Sequence, residues 1–126
     1  MIKNIILASR SGIRKKILEN NGIKCEVIPA KINEDQVKRS LLETNATLEL
    51  ISKNLAELKA NKVSEKKHGE LVLGADSVID LNGEIISKPI NREEAFKTLR
   101  KLNGQKHQLI SSVCISKNGS VIWNST

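Results

Sequence analysis

The chain has 126 residues, 39% of them hydrophobic and 28% charged, which is typical of one globular domain and excludes a disordered chain. Its formal charge of +7 favours an anionic partner such as a nucleotide, although most of the lysines are expected to form a solvated surface. One Phe, one Trp and no Tyr leave few aromatic platforms for stacking bases, which disfavours nucleic acid as a partner.

The sequence contains no apolar stretch of membrane-spanning length, so we expect no membrane partner. The N-terminal segment MIKNIILAS has too short an apolar core for a signal peptide and makes a better first strand. Cys25 and Cys114 are isolated in apolar runs without metal-ligand spacing. We therefore expect two reduced core thiols in a cytoplasmic protein.

The first elements are predicted to be a strand over Asn4 to Ala8, a turn over Ser9 to Gly12 and a helix to about Asn21. Ser11 is the predicted N-cap of this helix. Asn21 and Gly22 are the residues preferred where a helix stops. Three apolar side chains are predicted to face the core: Ile13, Ile17 and Leu18.

The first turn of this helix carries three cations, Arg14, Lys15 and Lys16, where the helix dipole is positive. Free backbone N–H groups, the hydroxyls of Ser9 and Ser11 and these cations together predict an anion pocket, in which a phosphate would offset the repulsion. The alternative is that the side chains splay into water, where salt screens the penalty. We favour the phosphate interpretation because both serines can also donate.

A second strand is predicted over Cys25 to Pro29, followed by Asn33-Glu34-Asp35 on a loop and a polar stretch. Thr47 is a plausible cap for a helix from Leu48 to about Val63. Lys59 borders the apolar stripe of this helix, and spacing alone predicts that it reaches out to water. The stripe itself consists of Leu48, Ile51, Leu55 and Leu58.

The chain is organised around the stretch from Leu71 to Pro89. An apolar run predicts a buried strand, and Gly74 and Ala75 then remove side-chain bulk just before Asp76. A tight turn at Asn82-Gly83 would bring the strand from Glu84 to Ile86 back beside it and carry Lys88 toward the same end of the sheet. An acid and a lysine where a buried strand ends suggest a site for a charged substrate.

The last third predicts one more helix and a second hairpin. Asn91 caps the helix, which ends at Asn103-Gly104 and directs three side chains inward: Ala95, Leu99 and Leu102. A strand over Gln105 to Ser116, a turn at Asn118-Gly119 and a strand over Ser120 to Trp123 follow. Strands alternating with helices, with two late hairpins, predict an α/β fold with a mixed twisted sheet flanked by helices.

Taken together, these motifs resemble the Maf family of nucleoside triphosphate pyrophosphatases. The family opening L-A-S-x-S-P-x-R corresponds to Leu7 to Arg14, except that Gly12 replaces the proline. The further motifs occur in the same order up to about residue 116: the extended segment with its acid pair (Val27 to Glu34), L-A-x-x-K-A (Leu55 to Ala60), G-A-D-[ST]-V (Gly74 to Val78), G-E-[IV]-x-x-K-P (Gly83 to Pro89) and L-x-G-x-x-H (Leu102 to His107).

The resemblance implies a fold like that of Maf proteins and inosine triphosphatases. It also implies hydrolysis of a nucleoside triphosphate between its α and β phosphates, with Mg²⁺ or Mn²⁺ as the cofactor. Glu34 and Asp76 would hold the metal, and Asp76 would also be the catalytic acid that activates water. The triphosphate would be bound by side chains from several segments that converge on one cleft: Ser9, Ser11, Arg14, Lys15, Lys59 and Lys88.

Two departures from the family pattern bear on function. Ile13 stands at the first of two positions that are arginines in many members, and the basic pair Arg14-Lys15 is the pattern we associate with the branch that acts on methylated guanosine triphosphate rather than dTTP or UTP. Family members also continue past residue 126, so we expect one domain over 1–126 that corresponds to the N-terminal portion of the family fold. The alternatives are a catalytically impaired fragment or a basic nucleotide-binding domain without turnover. Whether two chains pair into a homodimer that covers the exposed edge is left open.

Overall fold

The computed structural model describes residues 4–9, 12–81, 84–86, 92–104 and 106–126. The predictions for Ser11, Asn82-Gly83, Lys88-Pro89 and Asn91 lie outside these residues. The elements in chain order are β1 (Ile5–Leu7), α1 (Gly12–Asn20), β2 (Cys25–Val27), α2 (Glu34–Glu43), α3 (Leu48–Ser64), β3 (Val72–Leu81), β4 (Glu84–Ile86), α4 (Arg92–Leu102), β5 (Gln108–Lys117) and β6 (Ser120–Ser125).

The strands form one mixed sheet in the order β2-β1-β3-β5-β6, with β4 also paired to β3. β2, β1 and β3 run parallel, because helices separate them in the chain and carry it back across the sheet. β4, β5 and β6 are antiparallel to their partners. The predicted α/β class with a mixed sheet is therefore confirmed.

The core lies where α3 packs on β3 and β5. A Cβ added at Gly74 would come within 2.3 Å of the carbonyl oxygen of Ala56 and within 2.8 Å of the Cβ of Ala60. The helix can approach the strand this closely only because the strand has glycine there and the helix has alanines. Around this contact the buried cluster consists of Ile6, Ala8, Ala56, Ala60, Val63, Val72 and Cys114.

This close packing corrects the predicted stripe of α3. Ile51 and Leu55 are fully buried as expected, but Leu58 is 42% exposed. The buried face is instead rotated toward small and polar residues, among them Ser52, Ala56 and Lys59. Lys59 is 8% exposed and does not reach out to water, so the prediction from spacing alone was wrong for it.

Two helices bury less than their apolar spacing predicted. In α1, Ile13 is 74% and Ile17 55% exposed, because the helix packs against β2 at the margin of the sheet rather than over its centre. In α4, Leu99 is 64% exposed, and this helix makes no extensive contact with another described element. The predictions that these three side chains face the core were wrong.

One element boundary and the burial of one cysteine also differ from the prediction. Glu34 is not on a loop but is the first residue of α2, whose N-cap Asn33 accepts a hydrogen bond from the backbone N–H of Gln36 at 3.1 Å. Cys25 is half-buried, whereas Cys114 is buried as expected. Across the described ranges, no helix combines the length and the apolar composition that a membrane crossing requires.

Candidate active site

Asp76 lies in the middle of β3, not at the end of a strand as the sequence suggested. One edge of β3 pairs with β5 from Val72 to Asp80. The other edge pairs with β1 at its start and with β4 at Ile79 to Leu81. On this second edge, between β1 and β4, no described strand pairs with residues 74–78, so Asp76 lies beside a gap in the sheet. Such a gap beyond the carboxyl end of a parallel strand is where open α/β sheets commonly bind ligands.

Lys59 joins two acids from different segments at this gap. Its Nζ lies 2.6 Å from Oε1 of Glu34 and 3.2 Å from Oδ1 of Asp76. The side chains of Lys59 and Asp76 are 10% and 6% exposed, while that of Glu34 is 38% exposed. The pair with Asp76 is therefore largely shielded from water, and the acid on α2 covers its solvent side.

The electrostatics of Asp76 are dominated by its burial. Burial raises the pKa of the Asp76 carboxyl, although the charge and hydrogen bond of Lys59 and the charge of Lys38 act to lower it. The negative charge of Glu34 adds to the rise. Oδ2 of Asp76 is buried and has no hydrogen-bond partner among the described residues. Such an oxygen is costly to leave unmatched, so it is available to a ligand.

Ser9 and Arg14 form a second group of candidate residues. The Nη1 of Arg14 donates a hydrogen bond to Oγ of Ser9 at 3.1 Å, and Ser9 is 6% exposed. The backbone N–H of Ala8 donates to the carbonyl of Leu73, so the next residue, Ser9, lies where β1 leaves β3. This pair therefore sits at the β1 end of the gap.

Of the remaining candidates, only Lys15 lies among the described residues. Lys15 lies on α1, where its positive charge acts on Cys25. The pKa of the Cys25 thiol is raised mainly by burial and also by the negative charge of Glu19, while the charge of Lys15 lowers it. Ser11 and Lys88 lie outside the described residues. The structure thus brings Glu34, Lys59 and Asp76 together and places the pair formed by Ser9 and Arg14 at the end of the neighbouring strand.

Two residues at the site were missed by the sequence analysis. Ser52 is fully buried, and its Oγ donates to the backbone carbonyl of Asp76 at 3.1 Å. Its position seven residues before Lys59, two turns along α3, could have placed both on one helix face. Lys38 is half-buried and follows Glu34 by one turn of α2. The spacing of Asn33 and Gln36 is a capping signal that predicts α2, and a helix there places Glu34 and Lys38 one turn apart.

The residues present fit a hard divalent cation. Mg²⁺ is usually held by one or two carboxylates, with substrate phosphates and water completing its shell. Glu34 and Asp76 supply two carboxylates held close by one ammonium, and Oδ2 of Asp76 has no competing partner. In the part of the chain that the structure describes, no group of three or more His, Cys, Asp or Glu could form an all-protein metal site. A metal here would therefore complete its shell with water or with oxygens of the substrate.

Comparison with known proteins gives the following relationships. A family model described as "Maf-like protein" matches residues 4–126. A nucleoside triphosphate pyrophosphatase of Pelagibacter ubique (strain HTCC1062) is 64% identical over 126 residues, which is 100% of this chain and 65% of that protein. A 7-methyl-GTP pyrophosphatase of Brucella abortus biovar 1 (strain 9-941) is 40% identical over 123 residues, which is 98% of this chain and 62% of that protein. The chain thus spans less than two thirds of the length of these two relatives.

Among solved structures, the Ham1 protein of Staphylococcus aureus matches 98% of this chain and 67% of its own, with a TM-score of 0.44 and 19% identity. This likeness is too distant to bear on the site.

Proposed function

The chain belongs to the Maf family, and on that premise we propose that it is the nucleotide-binding part of a nucleoside triphosphate pyrophosphatase. The reaction is hydrolysis of the bond between the α and β phosphates, which yields a nucleoside monophosphate and pyrophosphate. The observation that carries the proposal is the buried contact of Lys59 with Asp76, closed by Glu34, beside the gap in the sheet.

Asp76 is the proposed catalytic residue. As a general base it would accept a proton from the water that attacks phosphorus, and a pKa raised by burial suits this role because bases work best near the operating pH. Glu34 and Asp76 are the proposed ligands of Mg²⁺ or Mn²⁺, which when bound would neutralise charge on the phosphates. The hydroxyl of Ser52 holds the backbone of Asp76 in place.

The triphosphate is proposed to lie along the gap from Asp76 toward the end of β1. Arg14 and Lys59 would bind phosphate oxygens there, since charged donors hold developing negative charge where water is largely excluded. Ser9 orients the guanidinium of Arg14 through their hydrogen bond. Ser11, Lys15 and Lys88 remain proposed phosphate ligands on the family pattern.

The base of the substrate is proposed to be a methylated guanine. Ile13 followed by Arg14-Lys15 is the pattern that we associate with that branch, and a relative at 40% identity is named a 7-methyl-GTP pyrophosphatase. We also propose a cytoplasmic location, supported by two free cysteines.

A homodimer paired through the edge strand β6 is proposed because Trp123 is 51% exposed there.

The test is to incubate the purified chain with 7-methyl-GTP, GTP, ATP, UTP and dTTP in Mg²⁺ or Mn²⁺ and to identify the products by ion-exchange chromatography. We expect the monophosphate and pyrophosphate, with Asp76→Asn lowering the rate about 10²–10⁴-fold because the base is removed. Asp80→Asn, the same change four residues along β3, is the matched control and should keep most of the activity. Release of orthophosphate would contradict the assigned bond. A rise in melting temperature with triphosphates but no turnover would favour the binding domain without catalysis.

A further inference from the structure

Lys59 uses all of its hydrogen-bonding capacity inside the protein. Besides Glu34 and Asp76, its Nζ reaches the backbone carbonyl of Ala75 at 3.4 Å. An ammonium group has three N–H donors and no acceptor. With three oxygen partners, Lys59 has no donor left over for a phosphate. It can bind a substrate only by releasing at least one of the partners it holds here.

The ammonium group lies where a single cation could contact both Oε1 of Glu34 and Oδ1 of Asp76. Glu34 and Asp76 both direct an oxygen at Nζ, and a cation bound by the same two carboxylates would lie between them. A metal ion and an ammonium at that spot would repel each other strongly, because the side chains of Lys59 and Asp76 are largely buried and screening by water is weak. The ammonium group and a metal ion held by these same two oxygens therefore exclude one another.

We propose that Lys59 is a built-in counter-ion that holds Glu34 and Asp76 together in the metal-free protein and is displaced toward the substrate phosphates when a divalent cation takes its place. This inference rests on the proposed function of the site and assigns Lys59 as a positioning residue for the metal. The flexible four-carbon stem of lysine allows such a swing from a fixed position on α3.

The proposal has a thermodynamic consequence. Without nucleotide, the metal must displace the ammonium group of Lys59 while no phosphate is present to bind it, so metal binding alone is weak. With nucleotide present, the phosphates accept the ammonium while the carboxylates accept the metal. Metal and nucleotide therefore assist each other, and by linkage the assistance is equal in both directions. Removing the ammonium should free the metal from this dependence.

The test compares Mn²⁺ binding to the nucleotide-free wild type and to Lys59→Met, measured by electron paramagnetic resonance of free Mn²⁺. Methionine keeps an unbranched stem of similar length and removes the charge. We expect Lys59→Met to melt at lower temperature in EDTA than the wild type and to bind Mn²⁺ at least tenfold more tightly. Lys62→Met, the same change at an exposed position of α3, should leave Mn²⁺ affinity unchanged. Adding Asp76→Asn to Lys59→Met should abolish the gain.

Mn²⁺ affinity in Lys59→Met equal to or weaker than that of the wild type overturns the proposal. If Lys59→Met folds only when Mn²⁺ is added, this rescue supports the proposal. If Lys59→Met does not fold at any Mn²⁺ concentration, the same titration is carried out on Lys59→Gln. The glutamine amide can still bridge the carboxylates without a charge, and the same tenfold gain is expected. The titration requires no turnover, so it also gives an answer if the chain hydrolyses nothing. Loss of turnover in Asp76→Asn with unchanged metal affinity in Lys59→Met would keep the proposed function and overturn this inference alone.

Discussion

Lys59 and Asp76 are 17 positions apart in the chain, yet Nζ of the lysine lies 3.2 Å from Oδ1 of the aspartate. The contact depends on how closely α3 approaches β3, and that approach depends on Gly74. The glycine, two residues before Asp76, and the lysine, three residues after Ala56, are therefore parts of one packing arrangement. Stability and the geometry of the site should respond together when it is disturbed.

Gly74→Ala tests this arrangement. The new Cβ would lie 2.3 Å from a backbone oxygen, which cannot move aside as a flexible side chain could, so α3 must shift away from β3. We expect a loss of about 2 kcal/mol or more in the free energy of unfolding, at the upper part of the range for overpacked cores, measured by urea denaturation. Gly12→Ala is the matched control, because nothing lies within 4 Å of its added Cβ. A Gly74→Ala protein as stable as the control would show that the close approach is not required.

Ser52→Ala should separate stability from catalysis. It removes the buried hydrogen bond from Oγ to the carbonyl of Asp76, which should lower the free energy of unfolding by about 1 kcal/mol. The charged groups remain, so turnover should fall by only a few-fold, through looser positioning of Asp76. Ser40→Ala, at an exposed position of α2, should change neither quantity. An effect on turnover as large as that of Asp76→Asn would assign the hydroxyl a chemical role instead.

The buried carboxyl of Asp76 predicts how stability depends on pH. Its pKa is raised from 3.8 by burial, so above that pH the unfolded chain has released this proton while the folded protein still holds it. The folded state then binds more protons, and this group makes stability fall as pH rises, by at most about 1.4 kcal/mol per pH unit, until folded Asp76 ionises.

The measurement is urea denaturation of the wild type and Asp76→Asn at intervals from pH 4 to pH 7. Because asparagine cannot titrate, the free energy of unfolding of Asp76→Asn should increase relative to that of the wild type as pH rises. The difference between the two should then stay constant. A difference that is flat throughout, or that shrinks with rising pH, would contradict the assigned direction of the shift.

The two cysteines should differ in reactivity. Burial raises the pKa of the Cys114 thiol to about 11, and its Sγ donates to the carbonyl of Ala56 at 3.3 Å. Cys25 is only half-buried. Because the thiolate is the species that reacts, iodoacetamide at pH 8 should label Cys25 well before Cys114. Cys25→Ser should then be labelled at Cys114 only after unfolding in urea, as followed by mass spectrometry. Rapid labelling of folded Cys25→Ser would show that α3 opens readily over β5.

The family and the class of fold were predictable from the sequence because both follow from local signals. Apolar runs, the turn at Asn118-Gly119 and the cap at Thr47 each act within a few residues, and the structure has the corresponding elements. The motifs also named Glu34, Lys59 and Asp76, which the structure brings together. What the motifs could not supply was their environment.

Exposure was the least predictable property. Ile13, Ile17 and Leu99 have helical apolar spacing, yet they are more than half exposed, since burial depends on which elements pack over a face and not on the face itself. For a related reason, Leu58 is exposed although it was predicted to lie in the core, and Lys59 is buried. The helix face that meets a glycine must be built from small residues, and it is the face that carries the lysine.

By itself the sequence determined which side chains are available: two carboxylates, a lysine in a helix and a serine and arginine after the first strand. Only the tertiary structure decided that the lysine lies between the two acids and that Asp76 sits beside an edge of β3 with which no described strand pairs. The physical reason is that both facts depend on distances between segments far apart in the chain. Those distances are set by strand register and by the close approach of α3 to Gly74, neither of which leaves a local pattern in the sequence.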